Sequence, residues 1–253
     1  MVKIQKRALA LGAASLSLLA GFAPVSISIN NSQSQGLLSF QIGDASAVAQ
    51  KPRAYTPPGG RLRPQRTEGS GARGCTNSIP VTVNLLTPQD HIARTTEARP
   101  TFLWNVSGAT TAPMVFTLIE RGVSQPLYSK TLKANKAGIV ELQLPPESPE
   151  LKIGKEYRWT VALVCNEKRA SQNINARAWI ERVATSSQLK QELASATNDR
   201  ERALVYTQNG IWYDGLATLN QAKTSDSEKT EAINSFSALL REVGLEKISK
   251  RRH

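Results

Sequence analysis

The sequence predicts an all-β sandwich of about seven strands followed by a small α-helical region. Three observations carry this expectation. Between residues 79 and 183, short runs rich in β-branched and aromatic residues alternate with turn signals, and no helical pattern intervenes. After Val183 the apolar spacing changes from two to about 3.6 residues. Ahead of both, residues 50–74 hold four prolines and five glycines with almost no aliphatic side chains, the composition of a linker.

The chain opens with Lys3, Lys6 and Arg7 before an apolar run from Ala8 to Ala20. That run is too short to span a bilayer and has the shape of a secretory signal, so residues 1–28 are read as a signal peptide. Its end has an alternative at residue 49, after Ala47-Val48-Ala49, and an uncleaved anchor is a further alternative. No later segment is apolar enough to span a membrane. Residues 50–74 follow as a basic linker. They contain a formal G-x-G-x-x-G from Gly69 to Gly74, but no strand precedes it and no helix follows, so phosphate binding is not expected there.

The strands are expected at 79–86, 100–106, 114–120, 126–133, 138–144, 156–165 and 174–183, within a sandwich spanning 75–185. The sixth is the clearest: Tyr157, Trp159, Val161, Leu163 and Cys165 fall on one face and Arg158 and Thr160 on the other, the alternation of a half-buried strand. Seven short strands without helices resemble the immunoglobulin and fibronectin type III sandwiches. Leu151-Lys-Ile-Gly154-Lys-Glu-Tyr157 resembles their tyrosine corner, in which a tyrosine hydroxyl bonds back to the backbone just upstream. Trp104, in "RPTFLWNV", is expected to plug the core. With strands alternating in direction, the first begins at the pole where the sixth ends, which makes a Cys75–Cys165 disulfide sensible. A pair closing so long a loop contributes roughly 4–5 kcal/mol in the chain-entropy model and fits an oxidising compartment.

The helical region is expected over 186–246, with a basic tail at 247–253. A first helix runs through "SSQLKQELASATNDRERALVYTQ" with Ser186 or Ser187 as N-cap, a second covers about 211–223, and a third runs from near Ser225 or Asp226 to Gly244. Counted from Tyr206, Gly210 lies four on, Trp212 six, Gly215 nine, Leu219 thirteen and Ala222 sixteen. This resembles the tetratricopeptide hairpin, in which a glycine ends one helix, an aromatic starts the next and small residues let them approach. Gly215 stands where that pattern usually has alanine. One copy is not a solenoid, so a single hairpin plus a third helix is expected, docked on the sandwich or offered to a partner.

The ordered motifs "RGC", "EARPTFLWNV", "GIVELQLP", "LKIGKEYRWTVALVC", "AWIERV", "NGIWYDGLATL" and "LLREVGL" together resemble a cyanobacterial family of exported proteins, domain of unknown function 928. The resemblance runs from about Gly74 to Val243. It implies export and a sandwich followed by helices, and it carries over no activity, ligand or catalytic residue.

The formal charge is +12. Residues 51–74 hold +5 of it and 245–253 hold +3. Basicity in the tails suits loose attraction to polyanions better than a shaped groove. Arg61, Arg63, Arg66 and Arg73 are the candidate polyanion contacts, or serve only to keep the linker soluble. His91, in a turn-like segment, reads as a solvated loop residue, and Asp214 as a carboxylate compensating a helix dipole. Glu141, Glu147, Glu150, Glu156 and Glu181 read as solvated. No nucleophile elbow, P-loop or zinc-protease motif is present. Two cysteines and two histidines are not read as a structural zinc site, and no metal or cofactor is expected. The expected function is therefore a non-enzymatic binding or scaffolding module of the cell envelope, its partner an acidic polymer or another envelope protein. A carboxylate-dependent envelope glycan hydrolase and a nucleic-acid-binding protein are the alternatives.

Overall fold

In the computed structural model of the chain, the described residues are 53–59, 81–133, 135–224 and 229–249. All of them belong to one compact unit, Gln50–His253; the other unit, Met1–Ala49, lies outside them, and the expected signal segment with it.

Among the described residues the first part of the chain forms β1 (Val83–Leu85), β2 (Ala93–Thr95), β3 (Thr101–Val106), β4 (Met114–Glu120), β5 (Tyr128–Leu132), β6 (Gly138–Gln143), β7 (Glu156–Leu163) and β8 (Ile174–Arg182). They make a three-stranded sheet in the order β1-β3-β6 and a five-stranded sheet in the order β2-β8-β7-β4-β5. Each of the seven expected runs contains one strand. The additional one, β2, falls in the segment read as a turn. It pairs in parallel with β8, with Arg94 opposite Glu181, so the larger sheet is mixed rather than wholly antiparallel. Three residues are too few to show a period of two, which is why the sequence hides it.

The two sheets meet through aromatic side chains from their central strands. Phe102 and Trp104 of β3 contact Phe116 of β4 and Trp159 of β7, with ring centroids 5.0–6.4 Å apart. All four are fully buried. Rings of this size each bury some 150–250 Å², so this cluster supplies much of the hydrophobic drive for the sandwich. Trp104 also donates its indole N–H to the Met114 sulfur at 3.2 Å, which satisfies a polar group that water cannot reach. Tyr157 lies at the start of β7, and its hydroxyl accepts from the Lys152 amide at 2.8 Å.

The helices are α1 (Ser187–Ser195), α2 (Asp199–Gln208), α3 (Trp212–Ala222), α4 (Lys229–Glu242) and α5 (Glu246–Ser249). The single helix expected over 186–208 is thus two. Ala196, Thr197 and Asn198 interrupt it, and Asn198 restarts the chain as an N-cap that accepts from the Glu201 amide at 2.9 Å. Ser186 caps α1 by accepting from Leu189 N.

At the end of α2, Gly210 takes φ 75°, and the amides of Gly210 and Ile211 donate to the carbonyls of Thr207 and Tyr206. This left-handed C-terminal cap turns the chain into α3. The two helices then pack so closely that a Cβ built on Gly215 stands 2.5 Å from Thr207 Cγ2 and 3.0 Å from the Ala203 carbonyl oxygen. Glycine rather than alanine is required there because Thr207, stiff at χ1, occupies the space. Overpacking costs roughly 1–3 kcal/mol, against a helix-propensity gain of about 1 kcal/mol for alanine over glycine. With the Cβ meeting a backbone carbonyl as well as a side chain, Gly215→Ala is expected to destabilise the fold by up to about 2 kcal/mol in a denaturant titration.

Candidate functional site

The helical region does not dangle. Helix α3 closes the pole of the sandwich where β1, β2 and β8 end and β3 and β7 begin, and three consecutive side chains at its start hold it there. Trp212 donates its indole N–H to the Leu86 carbonyl at 2.9 Å. Tyr213 enters between the sheets against Phe102 and Trp159, accepts from the Trp159 indole N–H at 2.8 Å and donates to the Trp179 carbonyl at 3.1 Å. Asp214 reaches the end of β2: one carboxylate oxygen accepts from the Thr95 hydroxyl, the other from the Thr96 amide at 2.8 Å and the Thr96 hydroxyl at 2.5 Å.

Asp214 stands in the first turn of α3, where the dipole reading puts it, and at only 6 % exposed it also acts as an internal latch. Burial pushes its pKa from 3.8 up to about 6, opposed by the hydrogen bonds from Thr95 and Thr96. A polar pocket of about 170 Å³ opens beside it, lined in part by Glu97, Arg99, Tyr206 and Gln221. This is below the roughly 300 Å³ at which pockets begin to hold organic ligands. Arg99 is already committed to the Ser148 carbonyl and the Glu150 carboxylate.

His91 corrects an expectation. It is 7 % exposed rather than solvated. Its Nε2 lies 2.5 Å from the Tyr55 hydroxyl and its Nδ1 2.7 Å from Asp90 Oδ1, a geometry satisfied by a proton on Nδ1. Burial, and next to it the charge of Asp90, pushes the Tyr55 hydroxyl far up, which keeps it a donor. The arrangement has the form of a relay open only at its acid end: Asp90 is exposed, whereas Tyr55 is 3 % exposed and lies against both His91 and Trp212.

Tyr55 also alters the reading of 50–74 as a linker throughout. Residues 53–59 form a strap over the helices: the Ala54 amide donates to Glu242 Oε1 and the Thr56 amide to the Thr207 carbonyl, while the Thr56 carbonyl and Pro58 crowd Gly210. One tyrosine in a Pro/Gly-rich stretch gives no periodicity, so only its isolation as the single aromatic there pointed to packing.

The remaining residues singled out in the sequence fall as follows. Trp104, Tyr157, Trp159 and Trp212 are buried in the shared core, Tyr206 stands half-buried beside Asp214, and Gly210 makes the turn. Cys165 is disulfide-bonded. Cys75 and the arginines Arg61, Arg63, Arg66 and Arg73 lie outside the described residues. Among the glutamates, Glu150 pairs with Arg99, Glu156 with Arg121 and Glu181 with Arg94, while Glu141 accepts from Asn220.

The accessible chemistry lies on the outward face of the five-stranded sheet. Because Trp159, Val161, Ala176, Ala178 and Ile180 point inward, the alternating residues Arg158, Thr160, Ala162, Asn175, Arg177 and Trp179 point out. Register puts Trp179, Arg158 and Ile119 in one row across β8, β7 and β4, and Arg177, Thr160, Thr117 and Ser129 in another that continues into β5. Arg121 lies over the Trp179 ring, 5.2 Å from its centroid. Among the described residues Arg158 has no carboxylate partner. The period-2 pattern of "EYRWTVALVC" had already set Arg158 on this face; Trp179 was legible by the same rule.

The raised pKa of Asp214 makes a prediction with a definite sign. The folded state holds the proton more tightly than the unfolded state, so the contribution is full below about pH 4 and is lost as pH rises through about 6. The difference is on the order of 3 kcal/mol. Unfolding free energies of wild type and Asp214→Asn, measured from pH 4 to 7, are expected to diverge, with a fall in wild type that the asparagine variant lacks.

The sequence profile of a family described as Domain of Unknown Function (DUF928) matches residues 68–253. A search of curated proteins finds no match. Since the profile covers well over half of the chain, including both sheets and every helix of the described residues, the protein belongs to the DUF928 domain family.

Proposed function

We propose that this is an exported, non-enzymatic binding module of the cell envelope that holds an acidic polysaccharide on the outer face of its five-stranded sheet. The observation that carries the reading is that face: Arg158 and Arg121 beside Trp179 at one end, then hydroxyl- and amide-bearing Thr117, Ser129, Thr160 and Asn175, with Glu181 neutralised by Arg94 at 2.9 Å and Glu156 by Arg121. Arginine supplies bidentate contacts to carboxylate or sulfate, and hydroxyls and amides match sugar hydroxyls. The tether arginines Arg61, Arg63, Arg66 and Arg73 extend the same attraction with salt-sensitive charge.

A non-enzymatic role is supported by the junction, where His91, Tyr55 and Asp214 are each engaged by internal partners. Export is supported by the basic-then-apolar start of the chain and by a disulfide-bonded Cys165, which fits an oxidising compartment. Among the described residues no helix is long and apolar enough to cross a membrane. We read the sandwich as immunoglobulin or fibronectin III-like: setting β2 aside, its strands divide as first, second and fifth against third, fourth, sixth and seventh, and Tyr157 bonds back to Lys152. The α2–α3 pair reads as a tetratricopeptide-like hairpin on its Gly210 turn and its Gly215 contact.

The test is retention on immobilised polygalacturonate. Wild type is expected to bind at low salt and elute at high salt. Arg158→Ser combined with serine at the four tether arginines is expected to weaken retention at least about tenfold, as several charge contacts are lost together. Retention unchanged by salt and by these substitutions would overturn the reading.

A further inference from the structure

An open groove of about 680 Å³ runs between α1 and α2. Leu204 and Val205 contribute apolar surface and Gln191 and Gln208 carry carboxamides, while Glu192 and Glu201 supply negative charge; no lysine or arginine lines it. Both carboxyls are held below the ordinary glutamate range, Glu192 by hydrogen bonds from Gln188 and Asn209, and Glu201 by those from the Thr197 amide and hydroxyl. They are therefore ionised at neutral pH. In a chain with formal charge +12 the groove is locally anionic. Carboxamides, which both donate and accept, match the backbone N–H and C=O groups of an extended polypeptide.

We propose that the α1–α2 groove binds an extended cationic segment of a partner protein, with its lysines or arginines set against Glu192 and Glu201 and an apolar residue over Leu204 and Val205. This surface uses different residues from the sheet face and stands independently of the polysaccharide reading. Complementary charge selects the partner and rejects acidic ones, and the apolar floor adds the contact area that exposed ion pairs lack.

Fluorescence polarisation of the full chain with labelled short peptides tests this. A peptide alternating lysine and alanine is expected to bind about tenfold tighter than one alternating serine and alanine, against the repulsion of the protein's net charge. Glu192→Gln with Glu201→Gln is expected to erase that preference. Val205→Lys, which leaves both carboxylates in place, is expected to weaken the lysine peptide about tenfold as well, and thermal melts identify any variant that has lost its fold. Equal affinity for the two peptides, tighter binding of the serine peptide, or full binding by folded variants would overturn the proposal.

Discussion

The structure depends on the position of one hydroxyl. Tyr213 brings the first turn of α3 into the open pole of the sandwich, and its hydroxyl bridges the Trp159 indole N–H and the Trp179 carbonyl. Those groups belong to neighbouring strands of the larger sheet, and the tyrosine ring rests on Phe102 of the smaller one. A single side chain therefore touches both sheets and the helical region. Without it, a buried indole donor would lack an acceptor, a cost of about 1–3 kcal/mol before any loss of packing.

The neighbouring contacts follow from that insertion. Once Tyr213 is seated, Trp212 is brought to the Leu86 carbonyl and Asp214 to Thr95 and Thr96, so one helical turn secures the ends of β1 and β2. The strap through Tyr55 then covers the exposed side of Trp212. Polar chemistry at the junction is thus consumed by architecture. Burial raises the Asp214 pKa because it takes the charged form out of water, and the hydrogen bonds from Thr95 and Thr96 offset that only in part. What faces solvent is of a different kind: a basic, hydroxyl-rich sheet face and an anionic helical groove, both suited to holding partners.

The sequence made this architecture legible where periodicity is strong. The alternation through Tyr157, Trp159, Val161 and Leu163 identified β7 and, by exclusion, the outward position of Arg158. The aromatic and glycine spacing from Tyr206 to Ala222 located the α2–α3 turn. Three features were hidden for a shared reason: their cause lies in residues distant along the chain. The latch made by Asp214 could not be read beside its dipole role because Thr95 and Thr96 are more than a hundred positions away. His91 looked like a loop residue because its partner is Tyr55, inside a segment of linker composition. Strand β2 depends on pairing with β8 and has no pattern of its own. The break between α1 and α2 is the exception, since Thr197 and Asn198 are local capping residues that the apolar spacing outweighed.

The central claim is that sheets and helices form one cooperative body joined through Tyr213. Equilibrium unfolding of wild type and Tyr213→Phe, both in a Trp212→Phe background so that Trp104, Trp159 and Trp179 report the sandwich alone, followed in parallel by far-ultraviolet circular dichroism for the helices and tryptophan fluorescence for the sandwich, tests it most directly. The two signals are predicted to coincide with and without Tyr213→Phe and to shift together to lower denaturant in the variant. Helical signal lost ahead of fluorescence in the protein that keeps Tyr213, or a variant that moves one transition and leaves the other in place, would contradict the account.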